Sequence, residues 1–171
     1  MKKIFFLFFL FLFNFNSVSA EEKILFLDIN LLLNESDVGK YLNKELKKIN
    51  DKNIEDFKKI EKSIKEDDEN LAKQKNILNE DELNSKINEL KKKYASYNKL
   101  KNSKSIKLNE TRDNAIKEIL LVVNGILAEY SKENNISLII DKKNLVIGKT
   151  QLDVTNEILK LLNKKISEIK L

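Results

Sequence analysis

The chain of 171 residues contains no cysteine and no histidine. Without cysteine there is no disulfide, no thiolate nucleophile and no soft metal ligand. Without histidine the commonest general base and metal ligand is missing as well. Stability must then come from packing or assembly. Only three glycines occur, Gly39, Gly125 and Gly148, and none lies in a phosphate-cradling pattern, so any working cycle would have to run without ATP. Of the 32 basic residues only Arg112 is an arginine. Base and phosphate recognition favours the bidentate guanidinium fork, so no specific nucleic-acid partner is expected. Lys, Asn and Ile share A/T-rich codons, which accounts for much of the lysine count. Carboxylates are plentiful but lie in helical runs beside lysines, with no spaced cluster to make a site. The expectation is a protein that is not an enzyme and needs no cofactor or metal.

What is present starts with Met1-Lys2-Lys3, an apolar block from Ile4 to Phe13, and a polar stretch closing with Val18-Ser19-Ala20. This is the order of a secretory signal peptide, and residues 1–20 are expected to be cleaved. The apolar block falls well short of the roughly 20 residues that span a bilayer. Losing Lys2 and Lys3 lowers the formal net charge from +5 to +3, a mild excess. Residues 21–171 suit one domain.

Ile24-Leu25-Phe26-Leu27-Asp28-Ile29 reads as a buried strand. Asn30–Glu35 reads as a turn or short helix, with Ser36 or Asn34 able to cap a long helix that begins near Asp37. Its apolar stripe runs Leu42, Leu46, Ile49, Asn53, Phe57, Ile60, Ile64, Asp67, Leu71, Gln74 and Leu78, the 3.6-residue period of a straight helix. Three of these positions are polar, so the seam is thin. After a polar tip at residues 79–82 the pattern resumes at Leu83, Ile87, Leu90, Tyr94 and Tyr97 and recovers at Leu108, Ala115, Ile119, Val122, Ile126 and Tyr130. The acidic run Glu66–Glu69 and the basic run Lys91–Lys93 are equidistant from Glu80, so an antiparallel hairpin lays one on the other. Residues 37–78 would form a helix about 60 Å long, too long for a compact domain of this size, so residues 37–133 must project as an arm.

From Ile116 to Leu127 nearly every position is apolar, which predicts burial on most sides. Ile136–Ile140 and Leu145–Ile147, joined by Asp141-Lys142-Lys143-Asn144, read as a β-hairpin. A last helix capped by Thr155 carries Ile158, Leu159, Leu161, Leu162 and Ile166. Residues 21–36 and 134–171 thus make a small β-body. The fold class is α+β, a coiled-coil-like helical hairpin on that body. Three short strands and a helix are too few to bury these faces alone, which predicts a closed symmetric oligomer. The interface candidates are Ile24, Phe26, Ile29, Leu138, Ile139, Ile140, Leu145, Val146 and Ile147.

This order resembles the Skp (OmpH) family of periplasmic chaperones. The likeness rests on Ile24-Leu25-Phe26-Leu27-Asp28, on Leu33-Asn34-Glu35-Ser36 with Gly39-Lys40, on Ser137-Leu138-Ile139-Ile140-Asp141, and on Leu152-Asp153-Val154-Thr155 with Ile158-Leu159 and Leu162-Asn163. It implies a periplasmic homotrimer whose arms enclose a cavity, acting as a holdase for unfolded outer-membrane β-barrel proteins, with weak contact to an anionic membrane or lipopolysaccharide as a further partner. Family arms tend to be strongly basic, whereas Glu80-Asp81-Glu82 makes this tip acidic.

A holdase needs many weak contacts that keep aggregation-prone strands apart. Apolar residues off the stripe, Ile54, Ile77, Leu100 and Ile106, are candidate client contacts, although for each taken singly widening of the seam is the simpler role. A lysine girdle, Lys58, Lys59, Lys62 and Lys65 facing Lys99, Lys101 and Lys104, would attract acidic clients. The alternative is a non-catalytic envelope scaffold acting through the hairpin, which would show one specific partner and no suppression of aggregation.

Overall fold

The structure is a computed structural model that describes residues 22–171; the expected signal peptide lies outside the described residues. Strand β1 (Lys23–Leu27) leads into a short helix α1 (Ile29–Glu35), then the long helices α2 (Asp37–Gln74) and α3 (Glu80–Glu133). Strand β2 (Ile136–Asp141) and helix α4 (Thr155–Lys165) complete the body, with single 3-10 turns at Lys142–Asn144 and Thr150–Leu152 between them. At about 1.5 Å per residue, α3 with its 54 residues is roughly 80 Å long.

The start of the long pair is set locally. Asp28 caps α1, its side chain accepting from the Leu31 N–H at 2.9 Å. Ser36 caps α2 by accepting from the Gly39 N–H at 3.1 Å, and it is fully buried. Gly39 is required here for space. A Cβ at that position would lie 1.9 Å from the Leu33 carbonyl oxygen, so the chain can fold α1 back on α2 only with a bare backbone.

The body's core joins both ends of the chain to the base of the arm. Leu25 and Leu27 from β1, Leu32 from α1, and Val38, Leu42 and Leu46 from α2 pack with Ala115, Ile119, Val123 and Ile126 of α3 and with Ile158 and Leu162 of α4. Val38, Ile119, Ile158 and Leu162 have no exposed surface, and full burial of such a side chain contributes about 1.5–3 kcal/mol each. Farther out the seam holds only Asn53, Ile64 and Tyr97 as buried residues.

Several expectations are corrected. The β-hairpin of Ile136–Ile147 does not form. Strand β2 pairs instead in parallel with β1, in the register Ile24↔Leu138 to Leu27↔Asp141, as a two-stranded sheet. The reason lies at Asp141, whose carboxylate accepts from the Lys143 N–H at 3.3 Å and starts a 3-10 turn. Lys142 is then drawn back to Asp28 and Asp153, at 3.8 and 3.4 Å, and Leu145-Val146-Ile147 joins no strand, leaving Val146 and Ile147 exposed. Ile29 opens α1 and is not the end of a strand. Thr155 is not a cap: Asp153 accepts from the Thr155 N–H at 3.0 Å, and the Thr155 hydroxyl accepts from the Asp28 N–H at 2.9 Å, tying α4 to β1.

The turn also falls earlier than residues 79–82. Residues 75–79 break the helix, because Asn79 and Glu82 form a reciprocal capping box that starts α3 at Glu80. Glu80, Asp81 and Glu82 thereby fill the first helical turn, where negative charge is favoured by the helix dipole. Burial of Ile116–Leu127 on most sides is not met within one chain: Leu121 is 70% exposed.

Candidate functional site

The arm's charge pairs decide which lysines remain available. Across the hairpin Lys93 pairs with Asp67, as the register equidistant from Glu80 requires. The flanking carboxylates do not cross. Glu66 and Glu69 pair with Lys62 and Lys65 one turn below on the same helix, both at 3.8 Å. Glu55 accepts from Lys59 at 2.7 Å, a contact that holds its carboxyl below the usual range and the Lys59 ammonium above its own. Such i,i+4 pairs stabilise a helix by a few tenths of a kcal/mol each and leave little net field. Three members of the expected girdle, Lys59, Lys62 and Lys65, are therefore matched.

Of the others, Lys58, Lys101 and Lys104 gather on one flank. Ile54, Lys58, Lys101 and Lys104 line a cleft of about 370 Å³ with Asn50, Asn53, Phe57, Glu61, Tyr97, Ser105 and Leu108. Its floor is an edge-to-face pair, Phe57 against Tyr97 with ring centroids 6.0 Å apart at 83°. The Tyr97 hydroxyl donates to Glu61, and this bond, helped by burial, raises the phenol above its ordinary pKa. Lys101 hangs over the same ring, 5.9 Å from its centroid.

The opposite flank carries a second groove of about 540 Å³, floored by Ile60, Ile64 and Leu100 and edged by Lys59, Lys92 and Lys93. Ser63 and Ser96 face this groove. They are too small to fill the space between the helices. Ile77 lies apart, 83% exposed in the tip, and Ile106 is 58% exposed on α3 outside both grooves. Lys99 is exposed and outside both as well. Sequence reasoning placed Phe57 and Tyr97 on the seam without recognising them as the floor of a cleft. The available signal was charge: from Lys91 to Asn109 the chain has seven lysines and no carboxylate.

On the body, Ile24 and Leu138 are about half exposed and Val146 and Ile147 wholly so, while Ile29, Ile139, Ile140 and Leu145 are partly covered. Phe26 is already buried within the chain, its ring lying so close to Gly148 that a Cβ there would come within 2.7 Å. Burial pushes the Asp153 carboxyl upward, but hydrogen bonds from Thr155 and the Lys142 ammonium together outweigh it and hold the group below its ordinary range. No described helix is long and apolar enough to cross a membrane.

A long antiparallel helix pair rising from a body built by both chain ends, with grooves open on each flank of the shaft, defines a class of arm-bearing proteins. The model of the family described as outer membrane protein (OmpH-like) matches residues 23–162, and the chain belongs to that family. A crystal structure of a protein provisionally named an outer membrane chaperone (OmpH-like), from Caulobacter crescentus CB15, has the same fold. Its TM-score is 0.81 at 15% identity, over 89% of this chain and 90% of that one. No curated protein sequence matches.

Proposed function

We propose that the protein is a periplasmic holdase that works without ATP, binding unfolded outer-membrane β-barrel proteins and preventing their aggregation on the way to the outer membrane. The observation that carries this reading is the shaft of the arm. Two lysine-edged grooves, one floored by aliphatic and one by aromatic side chains, stay open along helices whose seam buries only Asn53, Ile64 and Tyr97. Family membership and the name of the Caulobacter protein support a chaperone role, and the signal-like residues 1–20 support export.

The active form is a homotrimer. Val146, Ile147, Leu121, Leu138 and Ile24 leave apolar surface on a small body, and covering it with further copies would remove that surface from water. Light scattering of the protein lacking residues 1–20 should give three times the chain mass. Diluting a denatured β-barrel protein into equimolar trimer should keep it soluble. Aggregation at the rate seen without the protein would end the holdase reading and favour a scaffold role.

A further inference from the structure

The lysines of the shaft differ in how they are matched. Lys59, Lys62, Lys65 and Lys93 each have a carboxylate partner. Among the described residues, Lys58, Lys101 and Lys104 form no ion pair, although all three border one cleft; the groove across the shaft has one such lysine, Lys92, beside the paired Lys59 and Lys93. Like charges held together repel, so their convergence calls for an anion. The cleft's one carboxylate, Glu61, accepts from the Tyr97 hydroxyl and offsets one of the three lysines, so the lining keeps a net charge of +2.

The floor narrows the identity of that anion. Phe57 and Tyr97 offer an aromatic corner, which favours an apolar or aromatic group, and Asn50 and Asn53 put amides beside it that can pair with peptide N–H and C=O groups. A bare anion would gain nothing from the rings. A purely apolar segment is better served by the groove across the shaft, floored by Ile60, Ile64 and Leu100. About 370 Å³ is room for a pair of side chains and falls within the range of small ligand sites, about 300–1,000 Å³.

We infer that this cleft binds polypeptide segments in which a carboxylate neighbours an aromatic or branched apolar side chain. The apolar group packs on Phe57 and Tyr97 while the carboxylate is held among Lys58, Lys101 and Lys104. The inference rests on the holdase reading for the source of the segment, an unfolded client, and it sets this cleft, with three lysines outside any ion pair, apart from the groove across the shaft, with one.

The test uses two labelled ten-residue peptides, one with repeated Phe-Asp pairs and one with Phe-Asn in their place, titrated against the full chain by fluorescence anisotropy at low salt. The Asp peptide should bind about tenfold tighter, since several partly exposed charge pairs act together. Lys58→Met, Lys101→Met and Lys104→Met combined keep the apolar stems and should abolish the difference. The combination Lys59→Met, Lys62→Met and Lys65→Met should preserve it. Equal binding of the two peptides by the unaltered protein overturns the inference, as does equal loss in both triple variants. Displacement of the bound peptide by vesicles containing anionic lipid, but not by zwitterionic ones, would assign the cleft to membrane contact and overturn it too. Suppression of β-barrel aggregation is measured in parallel. Intact suppression without peptide discrimination removes only the cleft; absent suppression removes the holdase reading while the peptide comparison still decides the cleft.

Discussion

The base of the arm and its shaft are the same two helices, yet they solve different problems. At the base, α2 and α3 are flanked by β1, α1 and α4, and Val38, Ile119, Val123, Ile158 and Leu162 are closed from water. Along the shaft the helices have mainly each other. Asn53, Ile64 and Tyr97 are the buried residues there, and charge pairs one turn apart dress the outer faces. The lesson is that two helices give one seam, whereas a core needs a third element to close it. What is weak as packing is useful as surface, because the unfilled flanks become grooves.

The sharpest way to break this comparison is to cut one apolar residue from each region. Leu162→Ala should cost about 3–4 kcal/mol and lower the melting temperature of the whole protein, since its site is fully enclosed. Ile64→Ala, in the floor of an open groove where water can enter the space left, should cost about 2 kcal/mol. Its effect should be confined to amide exchange in the shaft. Equal, global losses in denaturant unfolding would mean that base and shaft are one cooperative unit.

Gly39→Ala comes next in size. The added methyl would meet the Leu33 carbonyl, a backbone atom that cannot move without shifting α1, and a loss of about 2–3 kcal/mol is expected in urea unfolding. Relief by Leu33→Ala is not expected, because the clash is with main chain.

Acid sharpens the same contrast more gently. The folded Asp153 carboxyl titrates below its unfolded value of about 3.9. Its bonds to Thr155 and Lys142 therefore stabilise the body fully above that value and are lost as pH falls through the lower folded one. Asp153→Asn should weaken the body at neutral pH and flatten its acid limb in thermal melts, with the shaft unaffected. The smallest effect belongs to the cross-hairpin pair. Lys93→Gln should cost about 0.2–1 kcal/mol, seen as faster amide exchange near Asp67, and Lys91→Gln should cost nothing measurable. The same response from both would return the pairing to a diffuse charge match between runs.

Much of the architecture was written in local patterns. The 3.6-residue stripe announced both long helices, Ser36 announced where the first begins, and the charge runs announced the Asp67–Lys93 register. Local patterns misled where a choice between partners was involved. Ile136–Ile140 is strand-like, but nothing in it says whether it pairs with Leu145–Ile147 or with a strand more than a hundred residues earlier. The girdle lysines looked alike in sequence; only the side-chain partners in the folded arm separated the matched Lys59, Lys62 and Lys65 from Lys58, Lys101 and Lys104, which meet at one cleft.

By itself, then, the sequence determined the two long helices, their approximate extent and the antiparallel arm, because periodicity and capping act within a few residues. Tertiary structure decided the parallel sheet, the closure of Phe26 over Gly148 and the two unlike flanks of the shaft. Each of these depends on which distant surfaces compete for the same edge or face, and such a competition is settled only when the whole chain packs.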